Sequence, residues 1–192
     1  MSCYLESYAK TMKNEGGYCN DPLDAGGETY KGISRKYNPS WGGWFVIDAL
    51  RDDTDFPECL EDDELLQIDV KKLYKQKYFD PYEGDSMSLG LAMEMFDTSV
   101  NMGVGRAVKF LQISLNILNR NGKLYSDMVE DGDFGPTTEK CLKLYLENDS
   151  IELLLKMLNV LQGNHYINYM KKSPNQERYA RGWFERVEIS KV

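Results

Sequence analysis

The stretch Asn14-Glu15-Gly16-Gly17-Tyr18-Cys19-Asn20-Asp21-Pro22-Leu23-Asp24-Ala25-Gly26-Gly27-Glu28-Thr29-Tyr30-Lys31-Gly32-Ile33 joins a helical pattern to a run of breakers. Upstream of it, Tyr4, Leu5, Tyr8, Ala9 and Met12 recur at helical spacing. The pattern stops at Gly16-Gly17, a normal helix terminator, so Glu15 ends a helix. Downstream, Asn20-Asp21-Pro22 and Gly26-Gly27 interrupt regular structure and predict a loop or a short irregular hairpin. Glycoside hydrolysis needs one carboxyl group to protonate the leaving oxygen and a second to activate water or attack the sugar. Glu15, Asp21 and Asp24 offer such a pair, and the two Gly-Gly steps let backbone approach a substrate closely. At a helix C-terminus the negative end of the macrodipole raises the cost of ionising Glu15, which suits a general acid.

Helical periods continue along the chain. Leu66, Val70, Leu73, Tyr74 and Lys77 mark a helix ending before Asp80-Pro81, and Leu89, Ala92, Met93, Phe96 and Val100 mark another ending near Gly103. Ala107, Val108, Leu111, Leu115 and Leu118 make a third, and Pro136 is placed to start a fourth. A long helix is predicted from Ile151 to about Tyr169 and a short one from Tyr179 to Val187. Residues 38–64 carry Trp41, Trp44 and Phe45 but no clear period. The fold class is therefore mainly α, with a small irregular loop or β ribbon near the active site. A seam near residues 85–88 divides a catalytic region, 1–87, from a helical region, 88–192, expected to pack into the same compact unit.

A net charge of −8 and a pI of about 4.8 repel phosphate backbones and anionic lipid, which argues against a nucleic-acid partner. No apolar run reaches the length of a spanning helix, so membrane insertion is not expected. Met1-Ser2-Cys3-Tyr4-Leu5-Glu6 lacks a basic region followed by an apolar one. Synthesis in the cytoplasm without a signal peptide is expected. Cys3, Cys19, Cys59 and Cys141 are widely spaced and read as reduced thiols. His165 is the sole histidine, too few for a zinc amidase, and no local Cys motif supports a Cys/His endopeptidase. Asp131-Gly132-Asp133-Phe134-Gly135-Pro136 fails the calcium-loop pattern and reads as a tight turn whose Asp caps the helix begun by Pro136.

Glu15, Asp24 and Thr29 fall close to the Glu, Asp, Thr spacing of phage-type lysozymes, in which Thr and Asp hold the attacking water and Glu is the acid. Glu15-Gly16-Gly17-Tyr18, Asn20-Asp21-Pro22, Asp24, Gly26-Gly27-Glu28-Thr29 and Gly32-Ile33 resemble the N-terminal signature of the glycoside hydrolase 108 family of N-acetylmuramidases. Phe96-Asp97, Val100-Asn101-Met102-Gly103, Leu111-Gln112, the Asp131–Thr138 run and Arg181-Gly182-Trp183-Phe184-Glu185-Arg186-Val187 resemble the peptidoglycan-binding region that accompanies it. The resemblance implies a lysozyme-like fold and cleavage of the β-1,4 bond after N-acetylmuramic acid, with Glu15 as proton donor. Asp24 is the preferred second carboxylate, because inverting enzymes need a gap of about 6.5–9.5 Å for water. Asp21 is the alternative, with an Asx-turn role as its structural reading.

Tyr18 and Tyr30 flank the acid and offer faces for a sugar; Asn101 and Gln112 suit its N-acetyl and hydroxyl groups, helix packing being their other reading. The implied partner is the glycan strand of peptidoglycan, met after release from the cytoplasm by a monomer that needs neither metal nor organic cofactor. A lytic transglycosylase would form an anhydro sugar without activated water, and a non-catalytic wall-binding or secretion-accessory protein would keep the fold without the chemistry.

Overall fold

The computed structural model describes residues 2–14, 16–21 and 26–187. Among them are eight α-helices and one three-stranded antiparallel sheet, so the mainly α expectation holds. The chain packs as two units, residues 8–77 and residues 2–7 with 78–187. That division falls ahead of the seam read near 85–88 and groups the first residues with the C-terminal helices.

In the 8–77 unit, helix α1 (Cys3–Thr11) runs out through a 3-10 turn at Met12–Asn14. Three two-residue strands follow: β1 (Tyr18–Cys19), β2 (Thr29–Tyr30) and β3 (Ile33–Ser34), with Tyr18 opposite Tyr30 and Tyr30 opposite Ile33. Helix α2 (Gly43–Leu50) occupies the segment that showed no period; its Trp44, Phe45, Val46 and Ile47 form one continuous apolar run, of which only Trp44 and Ile47 are buried. Helix α3 (Glu64–Tyr78) starts where the Asp63 carboxylate accepts the Leu66 N–H at 2.8 Å, an N-cap bond. Leu66, Val70 and Tyr74 recur every four residues and form its buried stripe.

The other unit begins with Tyr4, whose ring meets Phe79 and Phe96 edge-on at 5.2 and 5.8 Å. On α1 the buried positions are Tyr4, Ser7 and Thr11, while Leu5 is exposed. Beyond Tyr4 the burial stripe therefore runs through small polar residues rather than through the rest of the apolar set seen in the sequence. The Ser7 hydroxyl is satisfied locally by the Cys3 carbonyl at 2.8 Å. Helices α4 (Leu89–Met102) and α5 (Val104–Leu118) turn at Gly103, whose φ of +89° a side chain would strain. Helices α6 (Pro136–Asn148), α7 (Ile151–Lys172) and α8 (Ala180–Phe184) complete the unit, with α7 packed on both α4 and α5. Phe184 and Val187 lie over Gly163 of α7, and Arg186 pairs with Asp97 at 2.6 Å. The Arg181–Val187 motif is thus a packing clasp.

Pro136 does open α6, but its N-cap is Gly135 without a side-chain bond. The Asp-cap expectation fails because the turn's carboxylate is used elsewhere. The Asp131 Oδ1 accepts the Asp133 N–H at 2.9 Å and the Gln112 amide at 2.8 Å. No helix of the described residues is long and apolar enough to cross a membrane.

Candidate active site

Glu15 and Asp24, the expected acid and second carboxylate, lie outside the described residues. What the structure places are the residues next to them in sequence. Gly16 and Gly17 are exposed, and the Gly17 carbonyl accepts the Lys31 N–H at 3.1 Å, extending the ribbon back toward α1. On β2 successive side chains alternate, as a strand requires. Tyr30 turns inward and is fully buried, its hydroxyl donating to the Leu60 carbonyl at 3.0 Å and accepting from the Gln67 amide at 2.8 Å. It offers no face to a sugar; it anchors the ribbon. Thr29 is partly exposed, and its hydroxyl donates to the Gly27 carbonyl at 3.0 Å, a bond that Gly27 permits with φ of +63°. Asp21 is exposed.

Tyr18 stands on β1 with its ring edge-on to Phe56 at 4.8 Å and its hydroxyl donating to Glu28 Oε1 at 2.9 Å. Burial, then the hydrogen bond to Glu28, pushes its phenol above the ordinary range. Glu28 belongs to a charge network that connects the ribbon to α2. Its Oε1 also accepts from Arg51 at 2.6 Å, and its Oε2 lies 2.8 Å from Arg35 Nε. Arg35 in turn binds both oxygens of Asp48, at 2.7 and 3.0 Å, and stacks on Trp44 at 4.5 Å. Arg51 reaches the same Asp48 at 2.9 Å. Two hydrogen-bond donors, Tyr18 and Arg51, and the ion pair with Arg35 already engage Glu28, so its part is to hold the ribbon rather than to attack a substrate.

In the sequence Glu28 stands out only as part of the family signature, and Arg35, Asp48 and Arg51 do not stand out as site residues. Asp48 on α2 and Arg51 at its C-cap stand at i,i+3, a helical charge spacing that signals such a pair once the helix is recognised. The hydrogen bonds from Arg35 and then Arg51 hold the Asp48 carboxyl down at about 2. A carboxylate depressed in the folded state stabilises the protein above its unfolded pKa, near 4, and loses that contribution as pH falls through about 2. The stability difference between wild type and Asp48→Asn is accordingly expected to be present at neutral pH and to close between about pH 4 and pH 2. Urea melts across that range check it; a gap that widens on acidification would contradict the network.

A groove of about 520 Å³ opens at the end of α1, beside the ribbon, between Met12, Lys13, Lys31, Glu61, Gln67 and Lys71. Lys31 pairs with Glu61 at 2.6 Å and donates to Gln67 at 2.8 Å. Asn101 and Gln112 belong to the other unit. Asn101 is partly exposed on α4, whereas Gln112 on α5 is buried, its amide spanning the Asp131–Asp133 turn and its carbonyl accepting the Gly132 N–H at 2.8 Å. Helix packing, not sugar contact, accounts for Gln112. Thr29, Tyr18 and Tyr30 are brought together on the ribbon, and of these Thr29 and Tyr18 retain exposed surface.

The chain is similar over 96% of its length to the solved structure of Brucella abortus SagA, of which it covers 88%, at 21% identity and a TM-score of 0.61. That likeness bears on the fold. A search of curated proteins gave no match. A family model described as a predicted peptidoglycan domain matches residues 106–188. The model for glycosyl hydrolase 108 matches residues 8–103, half of the 192-residue chain and the whole of the Glu15–Thr29 stretch, so the chain belongs to the glycosyl hydrolase 108 family.

Proposed function

We propose that this chain is an N-acetylmuramidase that hydrolyses the β-1,4 bond between N-acetylmuramic acid and N-acetylglucosamine in peptidoglycan. Glu15 protonates the leaving oxygen, and Asp24 with Thr29 activates the attacking water. The observation that carries this reading is the position of Glu15, Asp24 and Thr29 within the glycosyl hydrolase 108 match, followed directly by a peptidoglycan domain. The Thr29 hydroxyl supports it. Its proton is committed to the Gly27 carbonyl, so its oxygen is left to accept a hydrogen bond from water. The groove beside the ribbon is of a size that holds a small ligand. In this reading the protein acts as a monomer and meets the wall after release from the cytoplasm.

Mass spectrometry of products from purified peptidoglycan tests the reaction. A reducing N-acetylmuramic end is expected; an anhydro end would mean a transglycosylase, and no release a binding protein. Initial rates of two variants test the second carboxylate. Asp24→Asn is expected to lose far more activity than Asp21→Asn, and the reverse order would pass the role to Asp21.

A further inference from the structure

A second groove on the 8–77 unit plays no part in this chemistry. It has a volume of about 550 Å³, within the range of about 300–1,000 Å³ usual for ligand sites, and Tyr37, Asn38, Trp41, Asp69, Lys72 and Gln76 are among its walls. Helix α3 separates it from the groove beside the ribbon. At 3.6 residues per turn, Gln67 and Lys71 fall on one side of the buried Leu66–Val70–Tyr74 stripe, and Asp69, Lys72 and Gln76 on the other.

The aromatic wall is built to hold one orientation. Trp41 meets Trp44 edge-on at 5.1 Å and 87°, and its ring lies so close over Gly43 that a Cβ there would come within 2.3 Å of it. Any residue but glycine at 43 would displace the indole. Tyr37 extends the wall outward and is 67% exposed. Around these rings stand two amides, Asn38 and Gln76, the Asp69 carboxylate and the Lys72 ammonium; the Asn38 side chain is held in place by donating from Nδ2 to the Ser34 carbonyl at 3.0 Å and accepting from Lys77 at Oδ1. Donors and acceptors alternate with flat apolar faces, which is what a pyranose presents in mirror image: hydroxyl and N-acetyl groups at the rim, C–H bonds on the face. The polar rim, with Lys72 and Lys77 beside Asp69, disfavours an apolar ligand.

We propose that this groove binds a segment of β-1,4-linked N-acetylhexosamine glycan other than the one held for cleavage. The proposal rests on the reading of peptidoglycan glycan as the substrate. The groove keeps the catalytic unit on an insoluble wall between cuts, because a second contact with the same polymer raises effective concentration at the first. Lys72 meets the lactyl and stem-peptide carboxylates that peptidoglycan carries.

The test is NMR titration of the full chain with the N-acetylglucosamine tetramer, followed at the side-chain amides of Asn38 and Gln76, together with retention on insoluble peptidoglycan. Both amides are expected to shift in the wild type and to stay still in Tyr37→Ala, whose retention falls by about 10-fold or more. Unmoved Asn38 and Gln76 amides in the wild type, or a Tyr37→Ala chain retained like wild type, would overturn the groove as a glycan site. A wild type that releases no muramic-acid-ended product yet shifts both amides would sink the catalytic reading and uphold the groove.

Discussion

Glu15→Gln is expected to lower the rate of peptidoglycan cleavage by about 10²–10⁴-fold, the usual worth of general acid catalysis. That corresponds to about 2.7–5.4 kcal/mol of transition-state stabilisation, at 1.36 kcal/mol for each tenfold. Glutamine keeps the size of the side chain and much of its hydrogen-bonding reach but has no proton of suitable acidity to give the leaving oxygen. The loss should therefore fall on kcat while wall binding and the melting temperature stay near wild type. The measurement is release of reducing ends from purified peptidoglycan at several pH values. Loss of protonated acid makes the wild-type rate fall on the alkaline side, and the variant should lack that limb. A folded Glu15→Gln protein that clears peptidoglycan at the wild-type rate would remove Glu15 from the mechanism.

The largest expected effect on stability is at Gly132. Its φ is +82°, and a Cβ there would sit 2.5 Å from the Gly105 carbonyl oxygen. Backbone cannot rotate aside as a flexible side chain would. Gly132→Ala thus combines a backbone conformation that costs a side chain about 1–2 kcal/mol with overpacking of about 1–3 kcal/mol. A sum of roughly 2–5 kcal/mol is a large share of a domain's net stability of about 5–15 kcal/mol. The shift also pulls the Gly132 N–H from the buried Gln112 carbonyl, at 2.8 Å. A fall of roughly 5–15 °C in melting temperature is expected by calorimetry. Gly182→Ala is the control, since nothing lies within 4 Å of its Cβ position and it sits in α8. It should be neutral or slightly stabilising.

These two sites show how differently residues can be read from a chain. Glu15 is conspicuous because the helical period stops beside it and carboxylates follow in a glycine-rich turn, all within about 20 positions. Gly132 looks like any turn glycine. Its need for hydrogen in place of a side chain comes from Gly105, on helix α5 and 27 positions earlier, which no local pattern announces. The same holds for Tyr30 and Gln112. Tyr30 reads as a face for a sugar and Gln112 as either a sugar contact or a helix-packing residue, and both are buried with their polar groups bonded, Tyr30 to Leu60 and Gln67, Gln112 to the turn at 131–133.

By itself the sequence determined the helices whose apolar positions repeat at 3.6 residues, their breaks at glycine and proline, the ribbon after Gly16-Gly17 and the family signature. Each of these is a local matter of backbone preference or of fixed residue types at fixed spacing. Helix α2 escaped because an unbroken run of apolar residues carries no period, and only packing decides which of them turns inward. Tertiary structure alone decided that Glu28 is held by Arg35 and Arg51, that the buried stripe of α1 runs through Ser7 and Thr11, and that Trp41 lies across Gly43 beside a polar groove. The physical reason is common to all three. Burial and ion pairing depend on which surfaces meet in space, and those surfaces come from segments far apart along the chain.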